Sequence, residues 1–445
     1  MKFRKLLIVP TAAALLATNA GLAQADTHEG QAEMMVTVDT EAAELRSTLD
    51  HLLSEHAFLA VETMRKGADG AEDFEESAAA LNKNTEELSN TIGSVYGEEA
   101  GQQFKTMWSE HIGYFVDYVN ATAEGDEAAK ETALNELAEY REDFSNFLAQ
   151  ATEQRVEAGA LAEGLQMHVN QLIGAFDAYI MGDYETAYQY EREAISHMYM
   201  VSKGLSTAIA DQFPDQYNNT DPATKAADLR SDLNYLFSEH AGLAAMAMQN
   251  GIDGAEDFEA SAQALNNNTE GLTEAVAGVY GEEAGQQFEA MWSEHIGYFV
   301  DYVNATAEED AGAQEEALNN LDMYREDFSE FLSTATEGNL TSDALAEGLQ
   351  MHVDQLIGAF DAYSSGDYEV AYDHTREAYQ HMFNPSKGLS SAIVTQMPEM
   401  FKSEMPEEMP NTAMAPEQNN ALLISIVAGI ALLSLVLFRL RARNQ

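Results

Sequence analysis

One string of residues occurs twice in this chain, 184 positions apart. Tyr96 to Thr122 reads YGEEAGQQFKTMWSEHIGYFVDYVNAT, and Tyr280 to Thr306 reads YGEEAGQQFEAMWSEHIGYFVDYVNAT. Leu161–Tyr179 and Leu345–Tyr363 keep the same offset, as do four pairs of histidines: His56/His240, His111/His295, His168/His352 and His197/His381. A chain built this way holds two copies of one fold, so any site it carries is expected twice. The copies span 38–213 and 222–397. Pro214, Asn218-Asn219 and Pro222 mark a linker over 214–221. Each copy is long enough to bury a core of its own and is expected to fold alone.

Within a copy the apolar spacing is helical throughout. Leu45, Leu49, Leu52, His56 and Leu59 follow one another at steps of three or four residues. No segment sustains period-two alternation. Gly67-Ala68-Asp69-Gly70, Tyr96-Gly97, Glu124-Gly125-Asp126 and Gly182-Asp183 break the pattern, with Gly as C-cap and Asp as N-cap. The breaks predict six helices over 39–66, 71–95, 97–123, 126–151, 156–180 and 183–213, repeated 184 residues later. Short breaks between long helices imply antiparallel neighbours. The fold class is therefore all-α: two tandem six-helix bundles.

The two ends address the chain to a surface. Residues 1–25 carry Lys2, Arg4 and Lys5, then an apolar stretch, then Ala23-Gln24-Ala25, the pattern of a cleaved secretory signal peptide. Residues 421–438 form an 18-residue apolar run, followed at 439–445 by Arg439, Arg441 and Arg443. Such a run is expected to span a membrane as a transmembrane helix, with its basic tail in the cytoplasm and the rest of the chain outside. Residues 398–420 are rich in Pro, Met, Glu and Asn without apolar periodicity, and read as a stalk. In that stalk Met409-Pro410-Asn411-Thr412-Ala413 resembles a Gram-positive cell-wall sorting signal of the Leu-Pro-Asn-Thr-Ala type, with Met409 at the Leu position. The resemblance implies linkage to peptidoglycan; a plain membrane anchor is the alternative.

Charge narrows the partners. Acids outnumber bases 76 to 22, a net charge of −54. Such a surface repels nucleic acid and anionic lipid and favours cations. The chain has no Cys, so disulfides and thiolate metal sites are both excluded.

The histidines carry the chemical signal. His56, His111 and His168 each occupy a core-facing position near the middle of a predicted helix. Antiparallel helices of similar length bring their midpoints to one level, so these imidazoles and His197 are expected to converge. Glu193 lies four residues before His197, and Glu377 four before His381, a spacing at which a carboxylate and an imidazole can share one ion. The expected sites are thus His56, His111, His168, His197 and Glu193 in the first copy. The second copy supplies His240, His295, His352, His381 and Glu377. Imidazole suits copper, iron and zinc alike. Met167, Met198, Met351 and Met382 adjoin these histidines, although Met at such spacing is commonly core filler. Haem held by two of the histidines is a further alternative, and it would be non-covalent because there is no C-x-x-C-H. Glu55 and Glu110 adjoin histidines but point about 100° away around the helix, toward the surface or the outside of a site.

The pattern EHxxLA, WSEHIGYFVDY, LQMHVxQLIGAFDAY, GDYExAY and REAxxHM resembles a group of secreted helical proteins of Gram-positive bacilli that often carry names taken from copper amine oxidases. The resemblance covers both copies and implies copper. Amine oxidase catalysis itself needs Tyr in an Asn-Tyr-Asp/Glu setting. Here Asn234-Tyr235 is followed by Leu236, so that activity is not expected. Nor is there a G-x-S-x-G elbow, a P-loop or H-E-x-x-H. Three functions remain in view. The first is a surface-anchored, non-enzymatic metal-binding protein for capture, storage or sensing. The second is an adhesin or spacer with structural histidines. The third is a haem or di-metal oxidase-like bundle.

Overall fold

The computed structural model describes residues 36–402. The expected signal peptide, the expected stalk beyond 402 with its sorting-like motif, the 421–438 run and the basic tail lie outside the described residues. Among the described residues no helix is long and apolar enough to cross a membrane.

The described chain is all-helical. The first copy forms α1 Glu41–Asp69, α2 Phe74–Tyr96, α3 Glu98–Glu124, α4 Glu127–Ala151, α5 Ala158–Ile180 and α6 Tyr184–Gln212. The second forms α7 Lys225–Asp253, α8 Phe258–Tyr280, α9 Glu282–Ala307, α10 Ala311–Ala335, α11 Ser342–Ser364, α12 Tyr368–His381 and α13 Phe383–Gln396. A short α14, Pro398–Phe401, begins the segment expected to be stalk.

Local chemistry sets the ends of these helices. Thr40 and Thr224 cap α1 and α7 by accepting from Ala43 and Ala227 N–H, and Gly70 and Gly254 end both helices in the left-handed conformation. Gly101 is required by closeness rather than by its dihedrals. A Cβ there would lie 2.7 Å from the Ser89 carbonyl oxygen of the neighbouring helix.

The sixth helix of the second copy departs from its counterpart. Where α6 is continuous, α12 ends at His381 and α13 begins at Phe383. Pro385 stands where the first copy has Val201. It has no N–H to give the His381 carbonyl, so the ladder is interrupted there.

The expectation of two separately cored bundles gives way to one continuous core. A single apolar cluster runs through both copies, and Phe58 of α1 stacks on Tyr379 of α12 at 5.6 Å. The reason lies in α1 and α7. Each is buried on two faces, one toward its own bundle and one toward the other copy. The second face mixes apolar and polar residues, and its polar contacts are reciprocal. Arg376 of α12 holds Glu55 of α1 at 2.9 Å, and Arg192 of α6 holds Glu239 of α7 at 3.0 Å. Arg46 reaches Asp228 at 2.6 Å, while Arg230 reaches Glu44 at 2.8 Å. Tyr188 donates to Asp257, and Tyr372 donates to Asp73. Every second contact is the first shifted by 184 in opposite directions, the signature of a two-fold interface in which i meets j and j meets i. The pseudo-axis passes between the equivalent residues Asp50 and Asn234. They touch at 3.4 Å, and each also bonds a serine of the other copy: Asp50 accepts from Ser231, and Asn234 donates to Ser47.

This geometry sets a cost for breaking the cross-copy pairs. Glu55 and Glu239 are essentially fully buried. Removing Arg192 leaves Glu239 without a counter-ion, and removing Arg376 leaves Glu55 with only His51 at 3.7 Å, a loss of about 3 kcal/mol in the first case and somewhat less in the second. Arg376→Ala and Arg192→Ala should both destabilise the protein in urea titration. A loss below about 1 kcal/mol in both would mean that the pairs do not hold the copies together.

Candidate metal centre

Three helices of each copy bring their midpoints together, as the antiparallel arrangement requires. They are α1, α3 and α5 in the first copy and α7, α9 and α11 in the second. His56, His111 and His168 offer ligand atoms that all lie within 4.8 Å of one another, and so do His240, His295 and His352. All six side chains are buried. His111 Nε2 faces His56 Nε2 at 3.4 Å, and His295 Nε2 faces His240 Nε2 at the same distance. A tetrahedral ion with bonds of about 2.0–2.1 Å to nitrogen separates its ligand atoms by roughly 3.3–3.4 Å. The first two rings of each copy therefore already stand at the edge length of a tetrahedral site. The third needs an inward turn on the order of 1 Å to complete a face.

No hydrogen bond holds the third ring back from that turn. Neither nitrogen of His168 has a hydrogen-bond partner, and neither nitrogen of His352 has one. A neutral imidazole carries one N–H and one lone pair. Leaving both buried and unpaired costs on the order of 1–3 kcal/mol for each group. An ion accepts the lone pair and removes part of that cost.

Aromatic rings fix the other two. Tyr140 stacks face to face on His111 at 4.9 Å and 14°, and Trp108 lies 4.6 Å from His56. Tyr324 and Trp292 repeat this in the second copy. The Tyr140 and Tyr324 hydroxyls and the Trp108 and Trp292 N–H groups are buried without partners. These four residues are part of the site and were not singled out in the sequence. Their signal was available, since Leu137, Tyr140, Phe144 and Leu148 form one apolar stripe facing the same level.

The fourth histidine and the glutamates do not join the cluster. His197 Nε2 donates to the Gly164 carbonyl at 2.9 Å, and His381 Nε2 donates to the Gly348 carbonyl at 2.9 Å. The acceptor lies one turn before His168 or His352, so the fourth ring braces the helix that carries the third. Glu193 is exposed and accepts from Gln189, and exposed Glu377 pairs with His374. Both turn to solvent because the arginine preceding each, Arg192 or Arg376, takes the inward direction toward the other copy. Glu55 is correspondingly buried in that interface, whereas Glu110 is exposed as expected. Met167 and Met351 face solvent, and Met198 and Met382 pack in the core.

The cavities beside the two triads differ. That of the first copy, lined by His111, His168 and His197, is about 40 Å³. That of the second, lined by His295, His352 and His381, is about 240 Å³.

No known protein family, curated protein or solved structure matches the chain. The site is therefore read from its own geometry.

Burial sets the protonation of the triads. It lowers His111, His168, His295 and His352 to about 3, with neighbouring histidines adding to the effect at His168 and His352. It holds His56 and His240 well below the ordinary value, helped by the two other rings of each triad. All six are neutral near pH 7, the form that ligates. In the unfolded chain these rings titrate near about 6.5. Below that pH the unfolded chain binds protons that the folded chain refuses. Stability from this source is complete above about pH 6.5 and is lost as pH falls toward 3, by about 1.4 kcal/mol per pH unit for each ring. His168→Leu should remove one ring's share of that slope, read from urea midpoints of metal-free protein at pH 5 and pH 7. An unchanged slope would show that His168 is not buried neutral.

Proposed function

We propose that the protein binds one metal ion in each copy, through His56, His111 and His168 and through His240, His295 and His352. The observation that carries this reading is the pair of Nε2 atoms at 3.4 Å beside a third imidazole with both nitrogens unpartnered, occurring twice. Three imidazoles in a tetrahedral face, with a fourth position left over, suit zinc and copper. Iron sites of the open facial type use a carboxylate with two histidines, and no carboxylate belongs to either group among the described residues. Haem fits poorly, because the adjoining cavities of about 40 and 240 Å³ fall below the usual ligand-pocket range of roughly 300–1,000 Å³.

Burial favours holding an ion over rapid exchange with solvent, so the reading is capture or storage. We place this function at the outside of the cell. The support is the sequence of the two ends, with a signal peptide before residue 26, an apolar anchor at 421–438 and a sorting-like motif at 409–413. The strongly acidic composition suits an exposed surface that attracts cations.

Elemental analysis of the purified ectodomain should find two equivalents of zinc or copper per chain. His111→Ala should lower this to one and leave the second copy loaded. Added metal should raise the melting temperature, because it binds the folded state alone. If the unmutated protein takes up no metal and melts identically with and without it, the histidines are structural and the spacer reading stands.

A further inference from the structure

The two triads share their ligands but not their surroundings. In the first copy α6 runs unbroken past the site, and Val201 is among the residues lining a cavity of about 40 Å³. In the second, Pro385 replaces Val201 and the helix is interrupted beside His381. The cavity there reaches about 240 Å³, six times larger. Two of its triad histidines, His295 and His352, line it directly, and most of the remaining wall is apolar, including Leu340, Leu345, Leu349 and Val353. Gly388 also lines it, with Gly204 at the equivalent position of the first copy, and a Cβ at 388 would lie 3.5 Å from Leu340.

A three-histidine ion keeps one coordination position for a ligand from outside the protein. Beside the first triad there is too little space for more than solvent, and beside the second lies a largely apolar chamber that such a ligand could occupy. The apolar stretch of its wall is a poor host for water, which needs two to four polar partners; Arg325, Asn384, the Tyr324 hydroxyl and the Trp292 N–H are the polar groups beside it. That stretch is an equally poor host for a bare charge. It suits a small neutral molecule with an apolar body and one lone-pair atom, the lone pair going to the ion and the body to the chamber wall.

We propose that the second copy's metal centre is a binding site for such a molecule, and that the first copy's centre is closed to it. The proposal rests on the metal reading above. Division of labour follows: one ion is held, and the other is held and presented.

The test uses cobalt(II) as a spectroscopic stand-in and pyridine as the probe, neutral at pH 7.5 and able to offer one nitrogen. The full ectodomain should bind two cobalt ions, and pyridine should shift the absorption of half of the cobalt. His295→Ala should keep the cobalt that does not respond, and His111→Ala the cobalt that does. Gly388→Leu fills the chamber without touching a ligand; it should keep two cobalt ions and lose the pyridine response by about tenfold or more in affinity. Failure to bind cobalt would overturn the metal reading and this proposal together. Two bound ions with no response, an equal response at both, or a Gly388→Leu response equal to that of the unmutated protein would overturn this proposal alone.

Discussion

A carboxylate taken out of water needs a counter-charge, and in this protein Glu55 and Glu239 find arginines in the other copy. Glu55 and Glu239 sit in the middle of α1 and α7, where apolar packing on one side already excludes solvent. Glu55 has His51 of its own helix at 3.7 Å, and the opposite copy's Arg376 and Arg192 supply the guanidinium partners of the two glutamates. Because such a pair gains little over well-packed apolar residues but is costly to break, its main effect is to dictate alignment. The arrangement of α1 against α7 then follows. So does the level at which His56 and His240, each next in sequence to one of these glutamates, enter their bundles. The histidine triads thus stand on a registration set by charge on the opposite face of the same helices.

Much of this was legible in the residues. The glycine and aspartate breaks placed the helices of the first copy within a few residues of their ends, because caps are local chemistry. Mid-helix positions of His56, His111 and His168 predicted their convergence, because antiparallel helices of one length align their centres. His197 failed the same argument. Its helix runs beside α5, and the Gly164 carbonyl met its ring before the cluster did. Glu193 failed because a charged neighbour, Arg192, had a stronger claim on the buried direction. The polar part of the second face of α1 was not legible at all. Glu55, Glu62 and Arg65 look like solvated residues until a second copy is placed against them. The interruption at His381 needed only Pro385, a departure from the repeat that the duplication itself obscured.

Departures of this kind gather near the pseudo-axis as well. Asp50 in one copy faces Asn234 in the other. Burial raises Asp50 to about 6, against the pull of Arg46 and of hydrogen bonds from Ser202, Ser231 and Asn234. Two aspartates at that place would repel, whereas an aspartate and an asparagine can bond. A covalent fusion of two copies permits that choice, since each half can change without the other.

The meeting of Phe58 with Gly242 carries that freedom to its end. The two positions are equivalent, yet one holds a ring and the other nothing; a Cβ on residue 242 would lie 3.1 Å from the Phe58 ring. Two phenylalanines would collide there, and two glycines would leave a hole. The halves have become left and right shoes of a pair: cut from one pattern, no longer exchangeable, and bound to be inherited together.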